Sequence, residues 1–92
     1  MTSFSDTELV ARTLQGDATA FGTLVERYKQ AVYAVCVSLL HDFDLAQDLA
    51  QEAFIEAFQH LHRLAMPARF GNWLRIIAVN ECRAAPPEWI VL

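Results

Sequence analysis

Residues 17–40 read DATAFGTLVERYKQAVYAVCVSLL, a stretch in which apolar side chains recur every three or four positions. The apolar positions are Phe21, Leu24, Val25, Tyr28, Val32, Val35, Cys36 and Leu39. An α-helix has about 3.6 residues per turn, so this spacing puts them on one side of a helix. Asp17 can cap its first turn. The stretch therefore predicts one long helix that ends near Leu40.

A shorter helix is predicted before the long one. Ser5 and Glu8 have the spacing of a capping box, in which hydroxyl and carboxylate satisfy free amides at a helix start. The apolar positions of this helix are Leu9, Val10 and Leu14. Gly16 would stop it, because glycine readily adopts the left-handed conformation that ends helices.

Two more helices are predicted after the long one. The third is capped around Asp42 and Asp44, and its inner stripe is Leu45, Leu49, Ala53, Phe54, Ala57, Phe58 and Leu61. Pro67 interrupts the periodicity, so residues 62–68 are predicted to form a loop. The fourth helix would begin near Arg69 or Phe70. Phe70, Trp73, Leu74 and Ile77 would face the core, and Asn72, Arg75, Ile76, Val79 and Arg83 the other side. The fold class is all-α, a compact bundle of about four helices.

The amino-acid composition limits the classes of protein to which the chain can belong. The chain has 92 residues, of which 54% are hydrophobic and 20% charged, as in one small globular domain. No apolar run reaches the roughly 18 residues of a membrane span, and the first residues do not resemble a signal peptide. A cytoplasmic location without membrane contact is expected. Cys36 and Cys82 are expected to be reduced, buried side chains.

The motifs of common catalytic sites are missing from the sequence. It has no glycine-rich phosphate loop, no nucleophile elbow and no zinc-protease motif. His60 and His62 are two positions apart and would point away from each other on a helix, so no metal and no cofactor are expected. The carboxylates of the third helix lie on its outward side without an evident pocket. We therefore expect a binding module and not an enzyme.

Charge is distributed unevenly along the chain, whose net charge is −4. Residues 30–62 carry five carboxylates and neither Lys nor Arg, whereas residues 63–83 carry four arginines and one glutamate. An acidic middle followed by a basic segment favours two different partners. The alternative at this point is that both segments are simply solvated helix faces.

Three segments along the chain carry recognisable motifs. The first contains Gly16-Asp17, Ala20-Phe21, Leu24-Val25 and Arg27-Tyr28. The second reads DLAQEAFI over residues 48–55. The third reads FGNWL over residues 70–74, followed by IAVN over residues 77–80. In this order, the three segments resemble region 2 of bacterial sigma factors of the sigma-70 superfamily, in the extracytoplasmic-function group. The resemblance covers about residues 5–83. It implies one region 2-like helical domain over residues 1–83 and a divergent tail over residues 84–92.

The resemblance implies RNA polymerase core as one partner. In the family, the acidic and amide face of the third helix docks on the coiled coil of the polymerase clamp. The matching residues here are Asp48, Gln51, Glu52 and Glu56. Carboxylates and a carboxamide on one helix face suit an arginine-rich partner, because ionised groups form the stronger hydrogen bonds.

Promoter DNA is the second partner that the resemblance implies. In the family, the loop and the fourth helix recognise and melt the −10 element and trap a base flipped out of the non-template strand. The residues expected to bind DNA are Arg63, Leu64, Arg69, Asn72, Arg75, Asn80 and Arg83. The arginines would neutralise phosphates, and the carboxamide of Asn80 could contact a base edge.

The sequence also departs from the family pattern. Leu64 stands where relatives can carry an aromatic side chain, and Ile76 stands at an often basic position. Neither a basic linker nor the family's second module, a helix-turn-helix, follows Arg83, so these 92 residues alone are not expected to do the whole task of such a factor. The tail, with Trp89-Ile90-Val91-Leu92, is expected to fold back or to contact another chain. The alternative function is a protein-interaction module that binds polymerase or an anti-sigma factor without reading DNA.

Overall fold

The structure, a computed structural model, describes residues 3–84. Its elements are α1 (Asp6–Leu14), α2 (Ala18–Leu40), α3 (Phe43–Gln59) and α4 (Phe70–Arg83), with 3₁₀ turns at Leu61–Arg63 and Pro67–Arg69. No strand occurs in this part of the chain. The predicted all-α bundle of four helices is therefore confirmed. Apart from Ala84, the predicted tail lies outside the described residues.

The predicted caps are present at the helix starts. The Ser5 hydroxyl accepts from the Glu8 amide at 3.2 Å, and the Glu8 carboxylate accepts from the Ser5 amide at 3.1 Å. The bond from the Ser5 amide, followed by one that the Ser5 hydroxyl donates to the Glu8 carboxylate at 3.1 Å, lowers the pKa of Glu8. Asp17 accepts from the Thr19 amide, and Asp42 from the Leu45 amide, both at 3.0 Å. Each cap satisfies an amide that has no partner within its helix.

Backbone conformations with positive φ end the first two helices. Gly16 has φ 104° in the turn between α1 and α2, as the sequence predicts. His41 has φ 54° and ends α2 in the left-handed conformation, which is uncommon for a residue with a side chain. The sequence pattern located this second boundary but not its geometry.

An aromatic cluster joins α2, α3 and α4 in the core. Phe70 is fully buried at the start of α4, with ring centroids of Phe21, Tyr28 and Trp73 at 6.3, 5.6 and 6.1 Å. The rings are tilted or perpendicular, the arrangement that aromatic quadrupoles prefer. The predicted inward side of the fourth helix is thus correct.

The inner face of α3 differs from the predicted one. Its buried residues are Ala46, Ala50, Ala53, Phe54 and Ala57. Leu45 and Leu49 are only partly buried, and Phe58 is 50% exposed, so the prediction of Phe58 as an inner residue is wrong. Alanine side chains are small and allow helices to approach closely. The side of α3 that packs on the core is therefore the one that carries the alanines, and not the predicted leucine stripe.

Two other apolar positions were also predicted on the wrong side. Leu14 and Leu39 are exposed, whereas their neighbours Thr13 and Leu40 are buried. The Thr13 hydroxyl is satisfied by donating to the Leu9 carbonyl at 2.8 Å. Both errors lie in the last turn of a helix, where the chain leaves the core.

A polar junction connects three helices through Tyr28. Its hydroxyl donates to Asp6 on α1, and Asp6 also pairs with Arg27 at 2.6 Å. The backbone of Gly71 on α4 passes so close that a Cβ there would lie 2.9 Å from the Tyr28 side chain. Burial, followed by the hydrogen bond to Asp6, raises the pKa of Tyr28 to about 12. This phenol therefore stays neutral and keeps its donor.

The two cysteines are buried and free, as predicted. Burial, together with the neighbouring Cys82 thiol, raises the pKa of Cys36 to about 12. A thiol that does not ionise at neutral pH is a poor nucleophile and packs as an apolar side chain. Between residues 3 and 84, no helix combines the length and the apolar character that crossing a bilayer requires.

Candidate functional site

The predicted acidic face is present on the solvent side of α3. Asp48, Gln51 and Glu52 are exposed, and Glu56 is half-buried. At 100° per residue, these four positions span an arc of roughly 140°. The helix that carries them is fixed by the alanine face on its opposite side. The structure therefore brings together the residues that the sequence assigned to one partner.

Glu81 joins this face from α4 and was missed in the sequence. It is half-buried, and burial followed by the charge of Glu56 raises its pKa. A hydrogen bond with Glu56 and the charge of Glu52 act in the same direction. The sequence contains a signal for this position, because Glu81 follows two core residues of α4, Leu74 by seven positions and Ile77 by four. That helical phase points its carboxylate toward the neighbouring helices and not to solvent.

A groove of about 480 Å³ runs along the acidic face between α2 and α3. Its lining comprises Val25, Lys29, Gln30 and Tyr33 from α2, and Gln47, Ala50, Gln51 and Phe54 from α3. Lys29 is paired with Glu26 at 2.9 Å. Gln51 belongs both to the groove and to the acidic face, so the groove borders that face.

The predicted DNA-binding residues lie in the turns after α3 and along α4. Arg63 and Arg69 belong to the two 3₁₀ turns, and both are exposed. On α4 the exposed members are Asn72, Arg75, Asn80 and Arg83. None of the four arginines forms an ion pair within residues 3–84, so their donors are available. We call this set the arginine face.

The remaining predicted member, Leu64, differs from the others. Its side chain is partly buried and packs against the core. Leu64 therefore stabilises the turn and extends less into solvent than the arginines do. Trp73 is half-buried, and Phe70 is fully buried, as their helical phase predicts. No Phe, Tyr or Trp side chain between residues 61 and 84 is exposed, whereas the His62 ring is. Ile76 is 49% exposed among the arginines and presents apolar surface there.

Metal binding has no structural support in the described part of the chain. Across residues 3–84, no three side chains of the His, Cys, Asp or Glu type converge on a possible metal position. The His60 and His62 rings are 6.4 Å apart, centroid to centroid. The geometry is that of two protein surfaces, one acidic and one basic.

Comparison with known proteins identifies the family. The family described as Sigma-70 region 2 matches residues 24–85. The RNA polymerase sigma-H factor of Pseudomonas aeruginosa is 39% identical over 83 residues, which cover 90% of this chain and 43% of that protein. The ECF RNA polymerase sigma factor SigW of Bacillus subtilis is 35% identical over 77% of this chain and 38% of its own length. The ECF RNA polymerase sigma-E factor of Escherichia coli K12 is 37% identical over 86% of this chain and 41% of its own length.

The chain thus spans about two fifths of the length of these relatives. The matches include the segments that form the acidic face and the arginine face. The helical bundle described above agrees with them. The chain belongs to the sigma-70 region 2 family, in the extracytoplasmic-function group of sigma factors.

Proposed function

We propose that this chain is a sigma factor domain that binds the polymerase clamp and recognises and melts the −10 promoter element. One observation carries the proposal: exposed carboxylates occupy the solvent side of α3, whereas exposed arginines occupy the turns after it and the side of α4 away from Glu81. Such a molecule can hold a basic protein surface and a nucleic-acid strand at the same time. The domain acts by binding and catalyses no covalent step.

The acidic face is the proposed contact for the clamp coiled coil. The carboxylates of Asp48 and Glu52 are exposed, and Gln51 between them can both donate and accept hydrogen bonds. Arginine side chains of a partner would gain charge-assisted bonds there. The simplest test mixes the chain with purified polymerase core and measures the affinity between the two by fluorescence anisotropy. Absence of binding would contradict the proposal.

The arginine face is the proposed contact for the non-template strand. Arg63, Arg69, Arg75 and Arg83 are exposed and free of internal ion pairs in the described region. Guanidinium groups that contact phosphates release counterions, which makes affinity fall with salt. Asn80 adds a carboxamide that can read a base edge.

Replacement of Arg75 or Asn80 by alanine should weaken binding of single-stranded non-template promoter DNA in the presence of polymerase core. Loss of one phosphate contact in Arg75→Ala should reduce the slope of log affinity against log salt by about 0.7. Asn80→Ala should leave that slope unchanged and cost about 1–3 kcal/mol of discrimination against a scrambled strand. A DNA titration at several salt concentrations measures both effects.

Arg12→Ala is the matched control for this experiment. Arg12 is an exposed arginine of α1 that lies over the Phe4 ring, 4.0 Å from its centroid. Its removal changes the net charge by the same amount as Arg75→Ala. Equal slopes for both variants, or DNA binding that does not depend on salt, would remove the DNA role.

A second candidate function is an interaction module that binds polymerase or an anti-sigma factor without reading DNA. The absence of an exposed Phe, Tyr or Trp side chain between residues 61 and 84 favours it, because capture of single strands usually relies on stacking. Binding to the clamp coiled coil in a pull-down, combined with no response in the DNA titration, would select this candidate.

Glu81→Gln should stabilise the fold at neutral pH and at the same time weaken polymerase binding. The folded state holds the Glu81 proton more tightly than the unfolded chain, whose pKa is near 4.5. Stability from this group is therefore present at acidic pH and is lost as pH rises through the raised pKa. The variant should melt above the wild type at neutral pH, with a smaller difference near pH 4.5. Thermal unfolding followed by circular dichroism measures this.

Asp48→Asn is the control for Glu81→Gln, since it removes one carboxylate from the same face at an exposed position. Its melting temperature should stay close to that of the wild type. A Glu81→Gln protein that is no more stable than the wild type at neutral pH would contradict the expected cost of ionising Glu81, which arises from its burial and from the charges of Glu56 and Glu52.

A further inference from the structure

Two large apolar side chains lie exposed one turn apart on α3. Ile55 is 46% exposed and Phe58 is 50% exposed. Single exposed apolar residues are common on protein surfaces, but residues three apart on a helix are neighbours and form continuous apolar area. We call this pair the apolar strip.

Ile55 lies within the acidic face, and Phe58 lies at its edge, beside Gln51. Ile55 follows Asp48 by seven positions, Gln51 by four and Glu52 by three, so all four share one side of α3. Phe58 extends the strip by one turn toward the 3₁₀ turn at Leu61–Arg63. The surface therefore has an apolar centre with carboxylates and a carboxamide around it.

The strip is also held in place before any partner arrives. The Phe58 ring packs edge-on against Phe21, with centroids 5.0 Å apart and planes at 66°. Phe21 belongs to the buried core, and α3 is fixed by its alanine face. A side chain that is already ordered loses little conformational entropy on binding.

We propose that Ile55, with Phe58 beside it, is the apolar anchor of this face and receives apolar side chains of a partner helix whose flanking arginines meet Asp48 and Glu52. The inference rests on the proposed function, because the partner helix is assigned to the polymerase clamp. Apolar anchors enclosed by polar groups that exclude water carry most of the energy in many interfaces.

Charge decides between this occupant and others. Residues 30–62 hold five carboxylates and no Lys or Arg, so the surroundings of the strip repel nucleic acid and anionic lipid. A second copy that paired through the same face would bring Asp48 and Glu52 against their own equivalents, which like-charge contact disfavours. A helix with an apolar edge and arginines beside it satisfies both parts of the surface.

The test compares Ile55→Ala with Leu39→Ala, which removes a similarly exposed apolar side chain, 41% exposed, from the end of α2. Affinity of each full-length variant for purified polymerase core is measured by fluorescence anisotropy. Ile55→Ala should weaken binding at least about tenfold, whereas Leu39→Ala should bind as the wild type does. Ile55→Leu should restore most of the affinity. Alanine favours helix, so circular dichroism should show unchanged helicity.

Binding measurements at low and high salt distinguish the contribution of the apolar anchor from that of the charges around it. The weakening caused by Ile55→Ala should persist at high salt, because burial of apolar surface is not screened. If the wild type binds the core and Ile55→Ala binds equally well, the anchor is wrong while the proposed function stands. If the wild type does not bind the core at all, both are wrong.

Discussion

Replacement of both Gln51 and Glu52 by arginine should abolish binding to the polymerase core. Both side chains belong to the acidic face and are exposed. The substitutions bring positive charge against the arginine-rich surface proposed for the partner. Coupling energies of close interfacial charge pairs reach about 1.5–7 kcal/mol, so a loss of at least about 100-fold in affinity is expected. Anisotropy titration of the labelled chain with core enzyme measures it.

The reversal should leave the fold intact, since both positions are exposed and arginine is a good helix former. The matched control replaces three exposed neutral residues on and just after α1 by arginine, namely Thr7, Ala11 and Gln15. It changes the net charge by the same amount. Affinity near the wild-type value for the α3 variant, or an equal loss in the control, would refute the assignment of the acidic face.

Phe70→Ala should have the largest effect on stability. Phe70 is fully buried and lies beside the rings of Phe21, Tyr28 and Trp73. Removal of a buried phenylalanine ring costs about 3–5 kcal/mol, while a 92-residue domain has roughly 5–14 kcal/mol in total. A large fraction of the variant molecules should therefore be unfolded at temperatures well below the wild-type melting temperature. Urea unfolding followed by circular dichroism measures the free energy of unfolding.

Ile76→Ala provides the comparison on the same helix. Ile76 is 49% exposed, so its truncation should change the free energy of unfolding by less than about 0.5 kcal/mol. A similar cost for Phe70→Ala and Ile76→Ala would mean that α4 does not pack through the side described here.

Local patterns predicted the helix starts correctly. Ser5, Asp17 and Asp42 each bond to an amide two or three residues later, so the information lies within one turn of sequence. The order of the four helices follows from the same short-range periodicity. The resemblance then predicted which exposed side chains share a face, and helical phase is sufficient to place them together.

Contacts between helices were harder to predict. Phe58 was assigned to the core because it fits the apolar stripe, but the alanines of α3 form the interface and leave it exposed. Glu81 was counted with a basic segment, whereas its neighbours Glu52 and Glu56 belong to another helix. Both outcomes depend on how α3 and α4 rotate against each other, and no single-helix pattern contains that rotation.

The junction around Tyr28 bears on where this domain can be cut. The family match starts at residue 24, which omits α1 and the first part of α2. A fragment with that boundary would lack Asp6, the acceptor of the Tyr28 hydroxyl, and would uncover the surface that Leu9 and Val10 seal. Expression of a shortened piece should therefore retain everything from Ser5 onward, since α1 closes the interior and is not an optional extension.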